Sequence, residues 1–173
     1  MKNILVSSFI LLFLYPCAIR TYAQNVSNNA PLEKIENSKV VCVVAINDGA
    51  YGGKVYEGSG LYVLNILTVN LQPFTSKIIT VNAEDYETEA KQTGATYIVK
   101  TTITNWEPRL AASALRGKPT RVEMNVFVFD LEQNKYIINT TLSAQGKTGT
   151  LASQSAEELA TELIKEFVRS ITK

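Results

Sequence analysis

Between Thr120 and Leu131 the chain alternates so regularly that one kind of element accounts for it. Val122, Met124, Val126 and Val128 fall on one side, and Arg121, Glu123 and Asn125 on the other. A period of two lines one face of a strand with apolar side chains and leaves the other to water. Glu132 to Lys135 then supplies a four-residue turn, and Tyr136 to Ala144 returns with Ile138, Thr140 and Leu142 on one side. The pair reads as an antiparallel hairpin whose apolar face needs a cover. The last segment can provide it. Ser155 and Glu158 have capping-box spacing, and Leu159, Leu163, Ile164, Phe167, Val168 and Ile171 follow on one helical stripe.

The preceding half reads as strands alternating with helices. Lys39 to Ile46 is a β-branched run typical of a buried strand, and a glycine-dense loop follows from Asn47 to Gly60. In Leu61 to Leu71, Leu61, Leu64, Leu67 and Leu71 share a helical face, while Val63, Ile66, Thr68 and Val69 keep a strand open as the alternative. Pro73 ends that element and Ile78 to Val81 is a short strand. Asn82 is the expected cap of the next helix, with Glu84 and Asp85 favouring its positive end, Tyr86 and Ala90 on one face, and Gly94 as the stop. Thr96 to Trp106 re-enters the sheet. The order β-α-β-α-β-β-β-α predicts an α/β fold of the α+β kind, a single-layer mixed five-stranded sheet with helices packed on it. Residues 39–173 are expected to form one domain, with no internal repeat.

Ahead of that domain, Lys2 and the apolar run Ile4 to Leu14 have the form of a secretory signal peptide, too short to span a bilayer. Thr21 and Ala23 place small residues before Gln24, so the preferred cleavage follows Ala23. Residues 1–23 are then a signal peptide and 24–38 a polar tether. A competing reading takes Cys17 as a lipidation site, although Pro16 stands where a lipobox has Gly, Ala or Ser. An uncleaved anchor is the third. Each sends the protein out of the cytoplasm, to the periplasm or, as a lipoprotein, to the outer membrane. If Cys17 is removed or lipidated, Cys42 remains as the one thiol, a small core residue in a buried strand, and no internal disulfide can form.

Histidine is missing from all 173 residues. That excludes Ser-His-Asp and Cys-His catalysis and every zinc site containing histidine. A net charge of +1, turned slightly negative by loss of Lys2 and Arg20, argues against nucleic acid as a partner.

Two segments interrupt the regular pattern. The first, Asp48 to Gly60, holds five of the nine glycines together with Tyr51, Lys54 and Tyr56. Gly52 and Gly53 count with Tyr51, Lys54 and Tyr56 as candidate binding residues of this loop, where glycine chiefly signals positive-φ geometry. Gly58, Ser59 and Gly60 read either as a structural turn with Ser59 capping a helix, or as amides holding an anion at its N-terminus. Exposed tyrosines in such a loop suit a protein interface. The second, Asn105 to Arg121, carries Trp106, Glu107 and Arg109 with Arg116, Lys118 and Arg121. One reading packs Trp106 over the sheet edge and pairs Arg109 with Glu107. The other makes the basic residues a site for an anion or an acidic partner.

The loop Tyr51-Gly52-Gly53-x-Val55-Tyr56-x-Gly58-Ser59-Gly60, the later Trp106-Glu107-x-Arg109 and the x-Pro119-x-Arg121 entry to the alternating strand resemble a family of small bacterial envelope proteins. Its members are mostly predicted lipoproteins, grouped as a domain of unknown function. The resemblance spans roughly residues 39 to 170. At the level of fold, the element order is similar to the N-terminal domain of TolB and to the periplasmic domain of the curli secretion lipoprotein. The resemblance implies an envelope location and an accessory or interaction role; it supplies no catalytic residue.

The leading expectation is therefore a non-enzymatic envelope module that contacts a protein or cell-wall component through Tyr51, Tyr56 and Trp106. A small-ligand or anion binder using the Gly58 to Gly60 amides with Lys54 or Arg109 is the alternative. An enzyme would have to draw on Asp48, Glu57 or Glu107, which lack catalytic spacing. No cofactor is expected. Asp48 and Glu57 do not form a known cation motif, so no metal is expected either. Oligomeric state is not legible, and contact with a membrane is expected only through a lipid anchor.

Overall fold

The computed structural model describes residues 22–25, 32–108, 118–146 and 154–172. Strands run over Tyr22–Asn25 (β1), Lys39–Val44 (β2), Ala50–Tyr51 (β3), Lys54–Val55 (β4), Thr75–Val81 (β5), Tyr97–Glu107 (β6), Arg121–Asp130 (β7) and Lys135–Gln145 (β8). The helices are Ser59–Leu71 (α1), Tyr86–Gln92 (α2) and Ala156–Ile171 (α3), and a 3-10 turn at Gln72–Phe74 holds Pro73. The main sheet has the order β1-β8-β7-β6-β2-β5. β5 and β6 both pair parallel to β2, which needs the crossovers that α1 and α2 provide. β6, β7 and β8 follow as antiparallel neighbours. The expected five-stranded mixed sheet is present, and β1 adds a strand antiparallel to β8. β1 straddles the cleavage expected after Ala23.

One face of the sheet is closed by α1 and α3. Val41, Val43, Val99, Val122, Met124, Val126, Val128, Ile138 and Leu142 meet Val63, Leu67 and Leu71 of α1 and the whole expected stripe of α3. Burying one such aliphatic side chain is worth about 2 kcal/mol, so this layer carries most of the stability. α3 begins with the capping box expected from the sequence. Ser155 Oγ accepts from Glu158 N at 3.1 Å and Glu158 Oε2 accepts from Ser155 N at 3.0 Å. The opposite face is closed over a shorter span by α2, where Cys42, Val44, Val81, Ala90, Ala95 and Ile98 form a second apolar cluster. Cys42 is fully buried there, and that burial pushes its thiol up to about 11.

Several boundaries differ from the sequence expectations for physical reasons. Residues 59–71 are helical, and the buried face of α1 runs through Gly60, Val63, Leu67 and Leu71. Leu61 is 61% exposed instead of sharing it. Asn82 does not cap α2, which starts four residues later behind Asp85, with Glu87 and Glu89 in its first turn. Gly94 ends that helix as expected, in a left-handed conformation with φ 69°. The β7–β8 turn lies at residues 131–134, drawn back by Asp130, whose Oδ1 accepts from Gln133 N at 2.8 Å. Within the stretch expected as a tether, Ile35 is fully buried and donates its backbone N–H to Ile171 O at 2.8 Å, so residues 32–38 pack on the domain.

Two β-bulges reset which side chains face which layer. On β6, Ile103 pairs with Met124 and Asn105 with Glu123, so Thr104 is the extra residue. On β8, Ile138 pairs with Val128 and Tyr136 with Phe129, so Ile137 is the extra residue. Each insertion reverses the facing of the residues beyond it.

Candidate functional site

The glycine-dense segment folds into a small hairpin followed directly by α1. Ala50 and Tyr51 of β3 pair with Val55 and Lys54 of β4. Between them Gly52 and Gly53 have φ of 58° and 80°, the left-handed pair of a two-residue turn that disfavours a side chain. The Lys54 ammonium lies 5.1 Å from the centre of the Tyr56 ring.

Beneath this hairpin the chain is pinned by its own polar groups. Asp48 Oδ1 accepts from Gly60 N at 2.8 Å and Oδ2 accepts from Gly58 N at 3.1 Å. The Ser59 hydroxyl donates to Tyr56 O at 2.7 Å and accepts from Gly49 N at 2.8 Å. Ser59 is therefore not the helix cap: Gly58, with φ 84°, holds that position without a side-chain bond, and Ser59 is already helical. The amides expected to receive an external anion are engaged by a carboxylate of the same loop. That carboxylate also sits at the positive end of the α1 dipole. Its aspartate is the functional detail that sequence reasoning missed. The signal for it was an Asp ten and twelve residues ahead of two glycines, a spacing that no short motif describes.

Glycine is also required where the loop touches the core. A Cβ on Gly49 would lie 2.6 Å from Ile103 Cγ2 and 2.7 Å from Trp106 Cβ, and one on Gly60 would collide with the Ile46 carbonyl. Trp106 itself is 1% exposed. Of the two readings, packing over the sheet edge and presenting a contact surface, its burial fits the first: the β6 bulge turns it inward, so that it supports the hairpin from below. Tyr51, 40% exposed, has its phenol raised above the ordinary value by the neighbouring carboxylate of Glu107. Arg109, expected to pair with it, lies outside the described residues, as do Arg116 and Cys17.

A cleft of about 490 Å³ runs beside the hairpin, between Lys54, Tyr56, Tyr62 and Gly58 on one side and Pro108 and Glu157 on the other, with Trp106 at its base. The structure thus brings Tyr51, Gly52, Gly53, Lys54, Tyr56, Gly58, Ser59, Gly60, Trp106 and Glu107 together in one corner. Their roles divide into exposed (Tyr51, Lys54), structural (the glycines and Ser59) and buried support (Trp106). No group of three or more metal-ligating side chains occurs among the described residues.

The fold and this corner define a class, a mixed α/β domain with a pinned aromatic hairpin at the carboxyl ends of its parallel strands. Within that class the chain belongs to the family described as domain of unknown function DUF4823, whose model matches residues 33–171. Among solved structures it is similar to the PelC dodecamer from Paraburkholderia phytofirmans, with TM-score 0.65, 13% identity, and 89% of this chain and 98% of that chain covered. A variant of the same dodecamer in a second crystal form gives TM-score 0.64 and 13% identity, covering 89% and 99%. A lipoprotein from Neisseria meningitidis gives TM-score 0.46 and 15% identity, covering 77% and 97%. No curated protein matches the chain. The PelC likeness shows a shared fold. Among the described residues, no helix is long and apolar enough to cross a membrane.

Proposed function

We propose that this protein is a non-catalytic module of the cell envelope that works by protein contact through the β3–β4 hairpin and the first turn of α1. One observation carries the reading. Of the five exposed large hydrophobic residues among those described, Tyr51, Val55 and Leu61 come from this short stretch, 40%, 56% and 61% exposed. Apolar side chains held out on a pinned loop are an interface signature, and Tyr is among the residues that carry binding energy in such surfaces. The chemistry of the corner supports the same reading. Asp48 is engaged with two amides, so that carboxylate already has internal partners. The amino-terminal leader expected from the sequence supports the envelope location.

The PelC chain is a dodecamer, and further copies of this chain are one form the partner takes in this proposal. The test places a photo-crosslinking residue at Tyr51, at Val55 and, as control, at exposed Lys165 of α3, in the protein expressed in its own host. Discrete adducts at the first two positions and none at the third support the reading. Identical patterns at all three, or none at any, overturn it. An adduct of twice the chain mass identifies the partner as a second copy.

A further inference from the structure

A second cleft lies away from the hairpin, on the face of the sheet that α2 covers only in part. Its volume is about 560 Å³, within the range of small-molecule sites. Phe127 and Phe129 of β7 and Lys100 of β6 form its floor, Tyr136 of β8 stands at one side and Tyr86 of α2 at the other.

The β8 bulge builds this slot. It sets Tyr136 opposite Phe129 instead of on the layer of Ile138, and the Tyr136 ring crosses both phenylalanines edge-on. The ring centres are 5.0 Å from Phe129 at 72° and 6.2 Å from Phe127 at 68°. Tyr136 is still 61% exposed, so the ring is a wall with one side left to water.

Lys100 gives the slot its sign. Its Nζ lies 4.7 Å from the centre of the Tyr86 ring, and among the described residues no carboxylate comes within ion-pair distance of it. Glu87 also lines the cleft, beyond ion-pair distance from Lys100. A half-buried ammonium beside aromatic rings gains from an anion that enters with its own apolar group, because the ligand excludes water from the pair.

We propose that this cleft binds an anionic amphiphile, with its apolar chain lying along the open surface of the Tyr136, Phe127 and Phe129 rings and its carboxylate or phosphate at Lys100. The proposal does not depend on the hairpin reading. Calorimetric titration of the purified protein with decanoate, decyl phosphate and neutral decanol, each below its aggregation limit, tests it. The expected result is saturable 1:1 binding of at least one anion, about tenfold or more tighter than decanol. Lys100→Met should abolish that preference, and Tyr136→Ala should weaken all three ligands. The tighter of the two anions identifies the headgroup. Anion affinity unchanged in Lys100→Met, or saturable binding of none of the three, overturns the proposal. Should Lys100→Met fail to fold by circular dichroism, the comparison with decanol and the exposed Tyr136→Ala variant still decide it.

Discussion

The two faces of the sheet share the same strands and differ in how they are closed. Under α1 and α3, a long amphipathic helix with its cap and a second helix cover the meander and β2, leaving a cleft only at the hairpin corner. Under α2, a helix of seven residues covers β2, β5 and part of β6, and the outer half of β7 and β8 is left open. Each face receives one aromatic side chain redirected by a bulge, Trp106 inward on the closed face and Tyr136 outward on the open one. The same local device therefore gives a buried aromatic group in one place and an exposed aromatic wall in the other. What decides the outcome is whether a helix lies above it.

That contrast is most directly broken by truncating the two aromatics. Trp106→Ala should cost about 3–5 kcal/mol, read as a fall in urea midpoint at constant slope, because a large ring is removed from a filled layer. A loss below about 1 kcal/mol would mean that the closed face is not closed at Trp106. Next in size, Gly60→Ala should cost about 1–3 kcal/mol, since the new methyl meets the backbone carbonyl of Ile46, which cannot rotate away. Asp48→Ala should cost about 1–2 kcal/mol by leaving the Gly58 and Gly60 amides without their acceptor, and Asp48→Asn, which keeps one oxygen, should cost less.

The α2 face offers a gentler test. Cys42 holds its proton up to about 11 in the folded state against an ordinary 9.0. The folded chain therefore binds more protons than the unfolded one between those values. Its contribution is complete below pH 9 and is lost as the pH rises towards 11. The stability difference between the unaltered chain and Cys42→Ala should shrink over that window; a constant difference would show that the thiol titrates normally. Smallest of all, Tyr136→Ala should stay within about 0.5 kcal/mol in urea unfolding, because the ring is mostly in water. A loss comparable to that of Trp106→Ala would make the open face part of the core.

The closed face was largely legible in the amino-acid order. Val122, Met124, Val126 and Val128 alternate without interruption, and Ser155 and Glu158 lie at the one spacing that makes a capping box. These are local signals of period two and period 3.6, and nothing distant competes with them. Trp106 and Tyr136 were not legible because a bulge leaves no mark in residue type. Thr104 and Ile137 are ordinary strand residues, and only the pairing across to β7 shows that each is one too many. The start of α2 was misjudged because Asn82 is a good cap by chemistry, while β5 extends to Val81 and residues 82–85 are spent on the bend after it. In the candidate corner the glycine turn was legible from its residues. Asp48 was not recognised as the partner of Gly58 and Gly60, since that depends on the hairpin bringing the two ends of the loop together.

Gly49 packs directly on Ile103 and Trp106, Asp48 ties the far end of the loop to α1, and the Ser59 hydroxyl bridges Gly49 N and Tyr56 O. The hairpin is consequently held at three points before any partner arrives. Ordering a free side chain costs about 0.5–1.5 kcal/mol at an interface, and a loop restrained in this way has already met part of that cost during folding. A partner docking here meets a rigid ridge, so encounters need correct orientation more than rearrangement, and a modest contact area can suffice for a lasting complex.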